Sequence, residues 1–249
     1  MLLHAKKLSK RFGEEFLATN DITVSFEKGV LTSIIGPNGA GKTTLINLLS
    51  GSLKPDSGSI FLRDDEITDL SVAARIKKGL CRSFQITNIF PELSLIENIQ
   101  IPLISMYGKT VRLLSWLNKD RQIFSEACSI LEDIGLLCKK DQKAARLSHG
   151  EQRQLEVGIA LATHPVIIFL DEPTQGMNKV EKMDIMANIV RFSREGRATF
   201  VIVEHDMDVV FSTSERIVVL HSGAVIADGA PQEIRKNSLV RKIYLGEEA

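Results

Sequence analysis

The chain is short of cysteine. Three occur among its 249 residues, and Cys81, Cys128 and Cys138 show no CxxC spacing. That argues against a disulfide framework or a thiolate metal site, and leaves free thiols in a reducing compartment as the expectation. It also lacks an excess of either charge, because 31 basic residues balance 31 acidic ones. A dedicated nucleic-acid binder usually carries a basic surplus, so no nucleic-acid partner is expected. No apolar run approaches the ~20 residues that cross a bilayer. The opening "MLLHAKKLSK" has too short an apolar stretch for a signal peptide. Any work at a membrane would be done from the cytoplasmic side and through a partner. Internal repeats, low-complexity segments and long linkers are absent too, which predicts one domain.

What is present changes character along the chain. The first third reads as strands over Leu2–Leu8, Ile22–Phe26 and Ser59–Leu62. "VLTSIIG" (30–36) is a short apolar strand ending at a glycine. A helix is expected over Lys42–Ser50, with Gly51 as its stop. From about Ile86 to Leu147 the chain reads as a mainly helical insert. Ser94 and Glu97 have capping-box spacing there, and Ile123, Ala127, Ile130, Leu131 and Ile134 recur at helical intervals before Gly135. The last third alternates strands (166–172, 198–205, 216–220) with helical stretches near 180–193 and 206–213. "HSG" (221–223) reads as a hairpin turn. Such alternation predicts a mostly parallel sheet covered on both faces.

The chemistry starts at "GPNGAGKTT" (36–44), which fits G-x-x-x-x-G-K-[ST] between a strand and a helix. Glycines let backbone N–H groups turn inward around phosphates. Lys42 adds a point charge, and the Thr43 hydroxyl is suited to Mg²⁺. "VIIFLDE" (166–172) is a buried strand ending in two carboxylates. Asp171 is placed to hold Mg²⁺. Glu172 points the other way and suits the orientation or deprotonation of a water. Gln85 and His205 each end an apolar stretch, and both fall near the same phosphate if their strands are neighbours. "LSHGEQRQLE" (147–156) raises a different question. Ser148 and Glu151 form a capping box, but Gly150 weakens a helix and leaves its N-terminus small and open, as an anion site requires.

Together these residues resemble the ATP-binding subunit of an ABC transporter, along essentially the whole chain and with every motif in order. "GPNGAGKTT" is similar to the Walker A loop, with Gly36, Pro37, Asn38, Gly39, Ala40, Gly41, Lys42, Thr43 and Thr44 as its nucleotide-binding residues. "VIIFLDE" resembles Walker B with its catalytic glutamate, "PTQGMN" (173–178) the D-loop, and His205 the switch histidine. Gln85 resembles the Q-loop glutamine, which implies a catalytic role and a place beside Thr43 and Asp171 around Mg²⁺. Phe12 stands where the family sets a ring against adenine. "LSHGEQ" resembles the signature sequence, whose helix faces the γ-phosphate held by a second subunit. That implies contacts from Ser148, Gly150 and Glu151.

The implied fold is an α/β P-loop NTPase (RecA-like) core with an N-terminal antiparallel β region and a helical subdomain. Residues 1–249 are expected to form one ABC ATPase domain. Its nucleotide-binding core is 1–85 and 164–249, and its helical subdomain is 86–163. The implied cofactors are ATP and Mg²⁺. The implied partners are a second ATPase subunit (identical or paralogous), two transmembrane permease subunits and, indirectly, an external solute-binding protein. The expected location is the cytoplasmic face of the plasma membrane. Ile86, Ile89 and Phe90, with Pro91, are expected to receive a helix of the permease. "CRSFQITNIFPELSLIENI", "EHDMDVV" and the ending "IYLGEEA" resemble the branched-chain amino acid importers. Urea and short-chain amide importers and the lipopolysaccharide-export ATPase are the alternatives. Three positions depart from the commonest pattern: His149 replaces a glycine, Glu151 a glutamine and Asn178 an aspartate. Glu151 brings a carboxylate toward the expected polyphosphate unless it is turned into its cap.

Overall fold

The computed structural model describes residues 1–13, 16–82, 89–109 and 120–244. Gln85 and Ile86 lie outside them. Strands β1 (Leu3–Phe12) and β2 (Phe16–Phe26) form an antiparallel hairpin. With β4 (Ser57–Leu62) and β5 (Asp65–Glu66) they make a four-stranded sheet in the order β2-β1-β4-β5. A second sheet has the order β10-β9-β3-β8-β7-β6. Its strands are β3 (Thr32–Ile35), β6 (Leu80–Arg82), β7 (Ile167–Asp171), β8 (Thr199–Val203), β9 (Arg216–His221) and β10 (Ala224–Gly229). All pairings in it are parallel except β9–β10, which closes through Ser222 and Gly223, both at positive φ. That two-residue turn matches the twist of an antiparallel pair.

The central strands are buried on both faces, which is why they read as unbroken apolar runs. Ile168 and Leu170 of β7, with Phe200 and Ile202 of β8, enter one core. Ile167, Phe169, Val201 and Val203 enter the other. The second core lies between the two sheets, where Phe26 meets Phe169 edge to face at 6.0 Å. The first core takes in the helical insert. Helices α3 (Leu95–Met106), α4 (Arg121–Asp133) and α5 (His149–Leu161) send Ile99, Leu131 and Leu155 into it.

Among the described residues the remaining α-helices are α1 (Lys42–Ser50), α2 (Val72–Lys77), α6 (Lys179–Arg194), α7 (Met207–Thr213), α8 (Pro231–Lys236) and α9 (Ser238–Tyr244). Among the described residues no helix is long and apolar enough to cross a membrane. Register fixes the working edge of the molecule. Val203 pairs with Asp171 on one side and Ile34 on the other. The turns that follow β3, β7 and β8 therefore emerge side by side, at the carboxyl ends of parallel strands.

Candidate active site

The turn after β3 is the glycine loop. Gly41 has φ 98 and is the N-cap of α1. A side chain there would be strained by that φ and would collide with the Ala18 carbonyl oxygen. The α1 N-terminus has no side-chain cap and no acidic residue in its first turn, so its dipole is left for an anion. Lys42 is 6% exposed. Its Nζ donates to the carbonyls of Gly36 at 2.6 Å and Pro37 at 3.0 Å, inside its own loop. Burial lowers the Lys42 pKa, and the Glu172 and Asp171 carboxylates work against that shift. Among the described residues its hydrogen bonds go to two carbonyls, which leaves the ammonium capacity for a phosphate.

Asp171 ends β7 and is 3% exposed. Its Oδ2 accepts from Arg82 at 3.2 Å, and its Oδ1 is buried without a partner among the described residues. Burial raises its pKa, with Arg82 opposing. A buried carboxylate with one orphaned oxygen is a fitting ligand for a hard cation, and the exposed Thr43 hydroxyl on the glycine loop is a fitting second one. Arg82 also donates to Asn47 of α1, so one guanidinium ties β6, β7 and the phosphate-loop helix together.

Glu172 follows Asp171 with φ 50, a left-handed conformation secured by its N–H bond to the Val203 carbonyl at 2.9 Å. This turns its side chain away from Asp171. Glu172 Oε1 lies 2.8 Å from His205 Nε2. Beneath them is buried Glu204. Its Oε1 accepts from the Thr174 N–H at 3.0 Å and hydroxyl at 2.7 Å, and its Oε2 accepts from the His205 N–H at 3.2 Å. Glu204 therefore fixes the turn after β7 to the turn after β8. A cavity of about 240 Å³ opens over this group, lined by Lys42, Thr43, Glu172, His205 and Phe16.

Sequence reasoning missed Arg82, Glu204 and Phe16. The first two are charges at strand ends, and their partners depend on strand order. Phe16 lies across the hairpin from Phe12, so the two rings share a face. They are 56% and 45% exposed, but only Phe16 is part of the cavity wall. A larger groove of about 930 Å³ runs along α6 and α7, past Met183, Met186 and Phe211. It has neither a glycine loop nor a carboxylate–histidine pair, so chemistry rather than volume picks out the smaller cavity.

Ser148, Gly150 and Glu151 do not line that cavity. They form the N-terminus of α5, with both capping-box bonds made. Glu151 is turned into this cap. Its Oε2 accepts from the Ser148 N–H at 3.1 Å, and its Oε1 is paired with Lys139. Gly150 is packed on α6, where a Cβ would lie 3.1 Å from the Glu181 side chain. Asn178 caps α6, accepting from the N–H groups of Val180 at 2.9 Å and Glu181 at 3.1 Å. On the helical insert, Phe90 is 51% exposed, and buried Asn98 grips its backbone through two hydrogen bonds.

This geometry has close relatives. A family model described as "ABC transporter" matches residues 19–175. A second, for the branched-chain amino acid ATP-binding cassette transporter, matches residues 224–249. The high-affinity branched-chain amino acid transport ATP-binding protein BraF of Pseudomonas aeruginosa is 36% identical, covering 99% of this chain and 98% of that protein. The corresponding LivG of Escherichia coli is 35% identical over the same shares. The ADP conformation of an ATP-binding cassette of an ABC transporter superposes with a TM-score of 0.87, at 34% identity and 99% coverage of both chains. A dimeric cassette in a post-hydrolysis state, bound to ADP and Pi, gives 0.78 at 27% identity, covering 92% of this chain and 99% of that one. The chain thus belongs to the ABC transporter family, as an ATP-binding cassette whose ATPase activity is coupled to transport.

Proposed function

We propose that this chain hydrolyses ATP to drive import of branched-chain or similar apolar amino acids. The observation that carries the solute class is the likeness to BraF and LivG along the full chain, joined by the C-terminal match at 224–249. In this reading residues 1–249 work as one domain, with 1–85 and 164–249 as nucleotide core and 86–163 as helical subdomain. The loop 36–44 wraps the phosphates, and the hairpin bearing Phe12 and Phe16 offers a ring to adenine. Thr43, Asp171 and Gln85 would hold Mg²⁺, which would supply positive charge to offset that of the phosphates. Glu172 takes the proton of the attacking water as its oxygen bonds to the γ-phosphorus and the bond to the ADP oxygen breaks. His205 holds the Glu172 carboxylate in place.

Ser148 and Gly150 act on a different nucleotide. They stand outside this chain's own cavity, which supports a sandwich of two ATPase subunits, identical or paralogous. Two permease subunits anchor the pair at the cytoplasmic face of the plasma membrane. The surface at exposed Phe90 takes a permease helix, with Ile89 packed behind it on the core, and an external binding protein delivers the solute.

Gene disruption with radiolabelled uptake tests this reading. Loss of leucine, isoleucine and valine uptake is expected. Normal uptake of those three with lost urea uptake would reassign the solute. Normal uptake of all four with a defective outer envelope would replace import with lipid export.

A further inference from the structure

The N-terminus of α5 carries a contradiction in charge. A helix start that is to meet a partner's γ-phosphate gains from free N–H groups and suffers from a carboxylate. Glu151 is a carboxylate in its first turn. A glutamine would make the same capping bond without the charge.

The structure resolves this outside the helix. Both Glu151 oxygens are committed, Oε2 to the Ser148 N–H and Oε1 to the Lys139 ammonium. Lys139 ends a short 3₁₀ turn, Leu137–Lys139, that precedes α5 in the chain. That turn is fixed to the helical insert by local bonds. The Lys139 N–H donates to the Leu136 carbonyl at 3.0 Å, the Gln142 N–H to the Lys139 carbonyl at 2.8 Å, and the Ile96 N–H of α3 to the Lys140 carbonyl at 3.0 Å. The neighbouring cations are engaged elsewhere, Lys140 with Asp141 and Lys143 with Glu92. Burial works to raise the Glu151 pKa, but the bonds from Lys139 and Ser148 outweigh it and leave it lowered. The capping box uses the N–H groups of Ser148 and Glu151. Those of His149 and Gly150 meet no acceptor among the described residues.

We propose that Lys139 is a positioning residue for the signature turn. It neutralises Glu151 and holds it back in its cap, so that α5 presents the His149 and Gly150 N–H groups, and not a free carboxylate, to the γ-phosphate bound by the second subunit. Lys139 lets a glutamate behave there as a glutamine would. This rests on the sandwich reading above.

The test is ATP-driven pairing, followed by sedimentation in a Glu172→Gln background that retains ATP. It is run on the chain alone and mixed with any paralogous ATPase subunit. Lys139→Met should raise the ATP concentration for half-maximal pairing about tenfold, the scale of one charge at a partly buried helix N-terminus. Adding Glu151→Gln to Lys139→Met should restore pairing to within about twofold, because the offending charge is gone. Lys139→Arg should pair as the parent does. ADP binding to the monomer reports the chain's own phosphate loop and should not change in any of them. Lys139→Met pairing at the parent's ATP concentration would overturn the inference alone. So would a double variant as impaired as the single one, which would mark a structural role without charge. A parent that stays monomeric at saturating ATP, alone and mixed, would overturn the sandwich and this inference together.

Discussion

Arg75 offers a prediction whose size follows from the structure. It is 1% exposed on α2, a helix too short to show any apolar period. Its guanidinium donates to four carbonyls: Leu48 at 2.8 Å, Leu49 at 2.7 Å, Thr68 at 2.8 Å and Leu70 at 3.2 Å. Two of these belong to the C-terminal end of α1, the helix whose other end is the phosphate loop. Burial pushes the Arg75 pKa down to about 10, so it stays charged at neutral pH.

Arg75→Met removes all four bonds. The Leu48 carbonyl keeps the Gly51 N–H, which leaves three carbonyls to find water or go without. Each unsatisfied buried carbonyl costs ~1–3 kcal/mol, and relief of the buried charge returns part of that. A net loss of about 3 kcal/mol follows, or roughly 6–12 °C in a domain of this size. Lysine cannot substitute, since one ammonium does not span four divergent acceptors. Thermal melts of wild type, Arg75→Met and Arg75→Lys are the assay. Both variants should melt early, with methionine the lower. A methionine variant within about 2 °C of wild type would refute the view that this arginine fastens α1.

Lys42→Ala removes the buried ammonium of the glycine loop and should weaken ATP binding by about 10–10²-fold in a fluorescent-nucleotide titration, with the fold retained. Glu97 predicts an acid effect. Its bonds from the Ser94 hydroxyl and N–H hold its pKa below the usual 4.5, so it contributes stability above the unfolded value and loses it as pH falls through the folded one. Melts of wild type and Glu97→Gln should differ at pH 6, and the difference should shrink as pH falls below the usual carboxylate range and through the lowered folded value; a difference that persists undiminished in strong acid would contradict the assignment.

Much of this site was legible because it is local. The glycine loop, the apolar strand ending in Asp171 and Glu172, and the capping boxes at Ser94 and Ser148 all depend on residues a few positions apart. The first hairpin was legible only in part. Strands expected over Leu2–Leu8 and Ile22–Phe26 run to Phe12 and start from Phe16. Register shifts between Ala5 and Leu8, and again before Lys10 and Arg11, break the alternation on which such an expectation rests. Lys7 sits at positive φ within the first of them. Glu204, Arg82 and Lys139 escaped for a different reason. Each is a charged side chain whose role is set by what another segment brings beside it: Thr174 for Glu204, Asp171 for Arg82, Glu151 for Lys139. Periodicity carries no trace of such pairings.

In the proposed mechanism the Glu172 carboxylate, held against His205 just beyond β7, is the base that turns over ATP to power transport. Glu172→Gln tests it most directly. Glutamine can keep a hydrogen bond to His205, and the backbone bond to Val203 does not depend on the side chain, so the site should keep its shape. What is lost is the base, typically ~10²–10⁴-fold in rate. Hydrolysis and ATP affinity are measured side by side in the assembled transporter. Turnover should fall by about that factor, with ATP affinity unchanged. Hydrolysis at the wild-type rate in Glu172→Gln would contradict it.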